Sequence, residues 1–110
     1  MLRHTARIEI YMKSGAAGVC TSGAVVRADD FRVAQAGVAT RLTGGSVLDL
    51  EPDNFYVYQF NIAGDGRFTL AARMDGGEVD LETTAFDSGE AKLGGHGSRS
   101  FPFKVPRLLV

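Results

Sequence analysis

Hydrophobic and polar residues alternate along much of the chain, the pattern of β-strands that bury one face. In the segment 5–13, Ala6, Ile8, Ile10 and Met12 share one side, and charged or polar residues occupy the other. Further segments of strand character follow at 24–27, 31–36, 38–42, 47–51, 55–63, 67–75, 78–86 and 100–105. We find no convincing helical periodicity. The pattern predicts an all-β fold, an antiparallel two-sheet β-sandwich of jelly-roll-like character with about eight short strands.

The middle of the chain allows a prediction of strand pairing, because opposed residues in an antiparallel ladder share a face. A three-residue glycine loop after the segment 55–63 places Phe60 opposite Leu70 on one apolar face. A Gly-Gly turn after the next strand places Arg73 opposite Asp80, a favourable cross-strand pair. We therefore expect one three-stranded meander, in which the third strand turns Val79 inward.

The remaining segments predict loops and an edge. Glycine-rich stretches at 14–23 and 90–99 are expected to be loops. Pro102 has no N–H group to donate, so the segment 100–105 is predicted to be an edge strand or a strand with one free side. The aliphatic C-terminus at 107–110 is expected to pack on the domain or to lie in a subunit interface.

Composition limits the class of protein. The chain of 110 residues is expected to form a single β-sandwich domain, 1–110. Its formal charge is −1, whereas nucleic-acid binding requires a basic surface, so we expect no nucleic-acid partner. The sequence contains neither a membrane-length apolar run nor a secretory leader pattern. The expectation is a cytoplasmic protein with no membrane partner.

The residues that could carry chemistry are few. The chain has one cysteine, Cys20, and two histidines, His4 and His96, which are too scattered for a zinc site. A thiol nucleophile would need a base beside it, and no spacing in the sequence brings Cys20 and His96 together. We therefore expect no catalytic residue, no metal and no cofactor, and rank a small hydrolase or thiol enzyme last.

A ligand surface is the second possibility. The predicted meander gathers amides, hydroxyls and charges on its outer face, where a carbohydrate or peptide ligand could bind. Sugar sites usually add an exposed aromatic ring, and Tyr11 is the only clear outward candidate. The predicted ligand-binding residues are Gln59, Asn61, Arg73, Asp80, Glu82 and, in the glycine-rich loop, His96.

These observations favour a protein that is not an enzyme. The first expectation is an interaction, structural or assembly module that forms a homo-oligomer through its apolar C-terminus and the Pro102 edge. The alternative is a β-sandwich module that binds a small ligand or carbohydrate on the polar face. No motif in the sequence identifies a protein family.

Overall fold

The computed structural model describes residues 5–15, 18–64, 66–75, 77, 79–81, 90–91 and 98–107. These residues form eight β-strands, and the part of the chain that they cover contains no helix. The strands are β1 Ala6–Gly15, β2 Cys20–Arg27, β3 Val33–Arg41, β4 Ser46–Leu50, β5 Asn54–Ala63, β6 Gly66–Met74, β7 Glu90–Ala91 and β8 Ser98–Val105.

The strands form two antiparallel sheets that pack face to face. Sheet 1 has the order β4-β1-β6-β7, and sheet 2 has the order β3-β2-β5-β8. Only the connections β2–β3 and β6–β7 stay within one sheet, and the other connections between successive strands cross to the opposite sheet. The predicted all-β, two-sheet sandwich of about eight strands is confirmed. Within the described ranges, no helix is long and apolar enough to cross a membrane.

Alternation along each strand decides which side chains lie between the sheets. The four inward positions predicted for β1 are all buried. Removing such side chains from water contributes about 1.5–3 kcal/mol each, so this interior is the main source of stability. The remaining core residues are Val19, Val25, Val38, Leu48, Leu50, Tyr56, Tyr58, Phe60, Phe68, Leu70, Ala72, Phe101, Phe103 and Val105.

Aromatic side chains of sheet 2 form the middle of this interior. The rings of Tyr58 and Phe60 stack with centroids 4.8 Å apart. Phe60 also meets Phe68 of sheet 1 edge to face, with centroids 6.3 Å apart. Such pairs add about 0.5–1.5 kcal/mol beyond their burial. Phe60 therefore connects the two sheets directly.

The hydroxyl of Tyr58 lies in this apolar interior but has partners. It donates to the carbonyl of Val38 at 3.0 Å, so its oxygen accepts from Thr21 Oγ1 at 2.9 Å. Thr21 in turn lies 2.6 Å from Thr40 Oγ1. All three side chains are buried, and this chain of hydrogen bonds removes the cost of placing their oxygens away from water.

The predicted meander is wrong, because β5 and β6 lie in different sheets. β5 pairs with β2 and β8, whereas β6 pairs with β1 and β7. The chain leaves sheet 2 at Gly64, whose φ of +101° and close contact with the Gly18 carbonyl leave no room for a side chain. Phe60 and Leu70 still both face the core, since a hairpin and a crossing between sheets bury the same residues.

Three local predictions have different outcomes. The pairing of Arg73 with Asp80 is confirmed as an isolated antiparallel bridge. Val79 does not face inward: it is 79% exposed. The bridge is a single pair, so no continuous strand holds Val79 against the sheet. The loop predicted at 14–23 is also partly wrong, because β2 already begins at Cys20.

The C-terminal strand agrees with its pattern. Phe101, Phe103 and Val105 are buried, and β8 is the outermost strand of sheet 2, which confirms the edge position of Pro102. The predicted loop at 90–99 contains β7 and the start of β8, while 92–97 lie outside the described residues.

A close backbone approach at Gly23 provides a test of the register of sheet 2. A Cβ atom at Gly23 would lie 2.7 Å from the Cα of Phe60 and would overlap the Gln59 carbonyl, so the strands would have to separate. We expect Gly23→Ala to lower the free energy of unfolding by at least about 2 kcal/mol. Gly44→Ala is the matched control, because a Cβ there meets no atom within 4 Å. Equal urea midpoints for the two variants would contradict the register.

Candidate functional site

The sandwich separates the residues predicted to share a ligand-binding face. Gln59 and Asn61 are exposed on the outer face of sheet 2. Arg73 and Asp80 lie on the outer face of sheet 1, on the opposite side of the molecule. The shared face predicted from the meander is therefore not formed, because β5 and β6 do not pair. The other two predicted residues, Glu82 and His96, lie outside the described residues.

On sheet 1, Arg73 and Asp80 meet around Tyr11 of β1. The Arg73 guanidinium lies 4.3 Å from the centroid of the Tyr11 ring. The Tyr11 hydroxyl donates to Asp80 Oδ1, and Lys13 Nζ donates to Asp80 Oδ2 at 2.8 Å. Arg73 Nε also donates to Glu9 Oε1 at 2.6 Å. We call these five residues the tyrosine cluster. Each of them bonds or stacks on another member of the cluster.

Three members of the tyrosine cluster were not predicted as site residues. Glu9, Tyr11 and Lys13 alternate on one face of β1, which the sequence shows. Their partners come from positions more than sixty residues later in the chain, and no periodicity reveals such contacts. The outward position of Tyr11 was the one available signal.

The contacts in the cluster shift the pKa values of its members. Hydrogen bonds from Lys13 and then from Tyr11 hold the pKa of Asp80 below its ordinary value. Burial, followed by the hydrogen bond to Asp80, raises the pKa of Tyr11. The hydrogen bond to Asp80 also raises the pKa of Lys13. At neutral pH, Asp80 is therefore a carboxylate with a lysine and a phenol bound to it.

The rest of the outer face of sheet 1 is also charged. Arg7 Nε lies 3.9 Å from Asp49 Oδ1 and 3.7 Å from Asp75 Oδ2, and these side chains are well exposed. Exposed pairs of this kind contribute about 0–1 kcal/mol. Eleven described strand residues point outward here, and six are charged: Arg7, Glu9, Lys13, Asp49, Arg67 and Arg73, beside Tyr11, Ser14, Val47, Thr69 and Ala71.

The outer face of sheet 2 has the opposite character. Arg41 and Lys104 point outward at the two ends of the sheet, and ten outward residues between them are uncharged. We call them the neutral face: Ser22, Ala24, Val26, Val33, Ala39, Val57, Gln59, Asn61, Ser100 and Pro102.

The ladder arranges the neutral face in rows that run across the strands. One row is apolar: Val33 pairs with Val26, Val26 with Val57, and Val57 with Pro102. It therefore crosses all four strands. Val33 is 62% exposed, whereas Val26 between its neighbours is 4% exposed. The next rows contain small and amide side chains, so the face is apolar at one end and polar but uncharged at the other.

Two exposed aromatic residues lie near the apolar end. Phe55 is 52% exposed, and Lys104 Nζ lies 5.3 Å from the centroid of its ring. Phe31, in the turn between β2 and β3, is 63% exposed and has a φ of +56°. A bulky residue in this left-handed conformation carries strain of about 1–2 kcal/mol. An exposed phenylalanine there is unusual, because glycine would fit the backbone better.

The cysteine lies beside a shallow groove at the other end of β2. Cys20 is half-buried and lies opposite Arg41 in the ladder. The groove has a volume of about 430 Å³ and is also lined by Gly18, Val19, Leu42 and Thr43. Among the described residues, no group of three or more His, Cys, Asp and Glu side chains could hold a metal ion.

Comparisons of the chain with protein-family models, with curated proteins and with solved structures give no match.

The pKa of Asp80 generates a prediction about stability. We expect Asp80→Asn to lower the free energy of unfolding by about 1 kcal/mol at pH 7, because Lys13 and Tyr11 lose the charge that they bind. The folded-state pKa lies below the unfolded value of about 3.9, so this contribution is present above about pH 4 and is lost as the pH falls through the folded pKa.

Urea unfolding of wild type and Asp80→Asn at pH 7 and at about pH 2 measures this dependence. The difference between the two proteins should shrink at the lower pH. Asp49→Asn serves as the control, because Asp49 is exposed and its ion pair is 3.9 Å long. We expect it to change stability by less than about 0.5 kcal/mol. A difference for Asp80→Asn that is the same at both pH values would contradict the assignment.

Proposed function

We propose that this protein is a non-catalytic interaction or assembly module that self-associates through the neutral face of sheet 2. The observation that carries the proposal is the contrast between the two outer faces. Six of eleven outward residues are charged on sheet 1, whereas on sheet 2 the charged residues Arg41 and Lys104 lie at the two ends and the ten residues of the neutral face lie between them.

The physical reason is the cost of desolvation. A charge that enters an interface loses its water, and the loss is large unless a partner is well placed. The central part of protein interfaces is accordingly poor in charged residues and rich in apolar and aromatic ones. Serine, asparagine and glutamine can exchange water for hydrogen bonds across an interface. The neutral face combines such polar residues with valines, alanines and a proline.

The apolar end of the neutral face supports the same proposal. Val33 and Phe55 expose more than half of their surface, and Phe31 does so from a strained turn. Clustered apolar exposure of this kind marks interaction sites on soluble proteins. A docked partner would remove these side chains from water.

The sequence predicts that the C-terminal segment at 107–110 takes part in the contact. Arg107 is exposed and lies 3.5 Å from Asp53, while 108–110 lie outside the described residues. Pro102 belongs to the neutral face itself. The proposed contact therefore keeps the Pro102 strand and centres on the face of the sheet. A cytoplasmic location and the absence of nucleic-acid and membrane partners stay predictions.

Binding of a small ligand or carbohydrate remains the alternative. The meeting of Tyr11, Arg73 and Asp80 on sheet 1 favours it, because sugar sites combine an aromatic ring with charged groups. The Arg73 guanidinium already lies over the ring, however, and Lys13 already binds Asp80. A sugar would have to displace these contacts, so we place this function second.

Two exposed valines test the proposed docking surface. Val33 lies on the neutral face and Val47 on the outer face of sheet 1, with exposures of 62% and 44%. We expect wild type to approach the dimer mass with rising concentration in sedimentation equilibrium. Val33→Glu should weaken this association at least tenfold, because two unpaired carboxylates would be desolvated. Val47→Glu should behave as wild type.

A protein that remains monomeric up to about 1 mM, where even weak interfaces associate, would contradict the proposed function. Equal loss of association in both variants would also contradict it. Urea midpoints of the two variants provide the check that each remains folded.

The turn residue Phe31 gives a second test, in which stability and association should change in opposite directions. Phe31→Gly relieves the left-handed backbone and should raise the free energy of unfolding by about 0.5–1 kcal/mol. The same variant should weaken self-association by removing an exposed aromatic contact. Phe55→Ala is the control, since it removes a similarly exposed ring and should weaken association without stabilising the fold. Stronger association of Phe31→Gly would contradict the role of Phe31.

A further inference from the structure

We propose that the groove beside Cys20 is a binding site for a small aliphatic carboxylate. The charged end of the ligand binds Arg41, and its hydrocarbon chain lies along Leu42 and Cys20. The groove lies between the start of β2 and the turn that connects β3 to β4. None of the residues that line it belongs to the neutral face or to the tyrosine cluster. The proposal therefore does not depend on self-association of the protein.

Backbone contacts and burial hold the two walls of the groove in place. In one wall, Arg41 and Gly44 exchange two backbone hydrogen bonds, of 2.8 and 3.0 Å, so Leu42 and Thr43 form the tip of a closed turn. In the other wall, Val19 is 2% exposed and packs in the core. A site that is formed before the ligand arrives loses little conformational entropy on binding.

The charge of the groove selects an anion. Arg41 is the one charged residue among the six described residues that line the groove. Within the described part of the chain, its guanidinium forms no ion pair, whereas those of Arg7, Arg27 and Arg73 each lie beside a carboxylate. A guanidinium presents a planar set of donors that matches the two oxygens of a carboxylate. A ligand carboxylate can therefore bind Arg41 without displacing an existing partner.

The other side chains of the groove favour an aliphatic ligand. Leu42 is 51% exposed, and a hydrocarbon chain that covers it removes apolar surface from water. Cys20 lies opposite Arg41 in the ladder, is half-buried, and acts as a small apolar group. Thr43 adds one hydroxyl. Neither an aromatic ring nor an amide side chain occurs among the six lining residues, which disfavours a sugar.

The size of the groove sets the size of the ligand and its affinity. Its volume of about 430 Å³ lies within the range of about 300–1,000 Å³ that small-molecule sites occupy. The groove is shallow and Arg41 is exposed, so the ligand keeps one side in water and the ion pair is weakened by solvent. We expect hexanoate to bind with a dissociation constant on the order of 1 mM.

A titration of the isotope-labelled protein with hexanoate, followed by two-dimensional amide NMR, tests the site. The amide signals of Cys20, Leu42 and Thr43 should shift and reach saturation. Acetate has the charge but no hydrocarbon chain, and hexanamide has the chain but no charge. Each of these two compounds should bind at least about tenfold more weakly than hexanoate.

Two variants separate the contributions of charge and chain. Arg41→Gln should weaken hexanoate binding at least about tenfold and leave hexanamide binding unchanged, because it removes only the charge. Leu42→Ala should weaken the binding of hexanoate but not that of acetate. Arg67→Gln is the matched control and should bind as wild type, since Arg67 is exposed on sheet 1 and also forms no ion pair in the described part of the chain. Unchanged urea midpoints show that each variant is folded.

Cys20 gives a second readout that is independent of NMR. It is the one cysteine of the chain, so alkylation by the uncharged reagent iodoacetamide reports on the groove alone. At a hexanoate concentration about ten times the dissociation constant, alkylation should be roughly tenfold slower, because only about a tenth of the sites are open. Arg41→Gln should lose this protection at the same concentration.

Three results would overturn the proposal. The first is the absence of a saturable change up to about 20 mM hexanoate. The second is equal binding of acetate and hexanoate, which would indicate only a general attraction of anions to an arginine. The third is wild-type affinity in Arg41→Gln. Val33→Glu should bind hexanoate as wild type does, so the carboxylate site and the proposed self-association can each fail without the other.

Discussion

The contact between the two sheets is the interaction on which the rest of the structure depends. Phe60 reaches from sheet 2 to Phe68 of sheet 1, and the other inward side chains fill the space around this pair. An interior of this kind has to be apolar and closely packed, so about half of the positions in each strand are restricted to apolar residues that fit it. The outward positions carry no such requirement. The two outer faces can therefore differ, and any specialised surface of this protein has to be found on them or at the strand edges and turns.

The alternation of residues predicted the strands well but predicted their pairing only where the pairing is local. Arg73 meets Asp80 as expected, because a short turn connects them and fixes which residues are opposed. Phe60 and Leu70 show the limit. They share the apolar interior whether their strands pair in one sheet or face each other from two sheets. Two residues that pair must face the same side of their sheet. Residues in two different sheets can also both face the core, so shared orientation does not distinguish a hairpin from a crossing between sheets. The contact between Gly64 and Gly18 favours the crossing, and it involves residues far apart in the sequence.

The same limit explains which parts of the candidate surfaces could be foreseen. Each strand alone shows that Gln59 or Arg73 points outward. The tyrosine cluster requires β1 to lie beside β6, and the apolar row requires β3, β2, β5 and β8 to be neighbours in that order. Val33, Val26, Val57 and Pro102 are separate apolar residues in the sequence and become one surface only through this order. The outward side chains of one strand can be predicted from alternation. A surface formed by several strands can be predicted only when the order of those strands in the sheet is known.

The edges of sheet 2 are poorly suited to pairing with a further strand. An unpaired edge strand can recruit another strand and extend into an open assembly. At one edge, Pro102 removes a backbone donor from β8. At the other edge, the N–H and carbonyl groups of Ala39 both bond to Ser46 Oγ, at 3.0 and 2.7 Å, and the register of β3 against β2 is irregular at two places. Both features make continuation of the sheet through these edges less favourable. In the proposed association, packing on the face of the sheet would cover the exposed valines without extending the sheet through these edges.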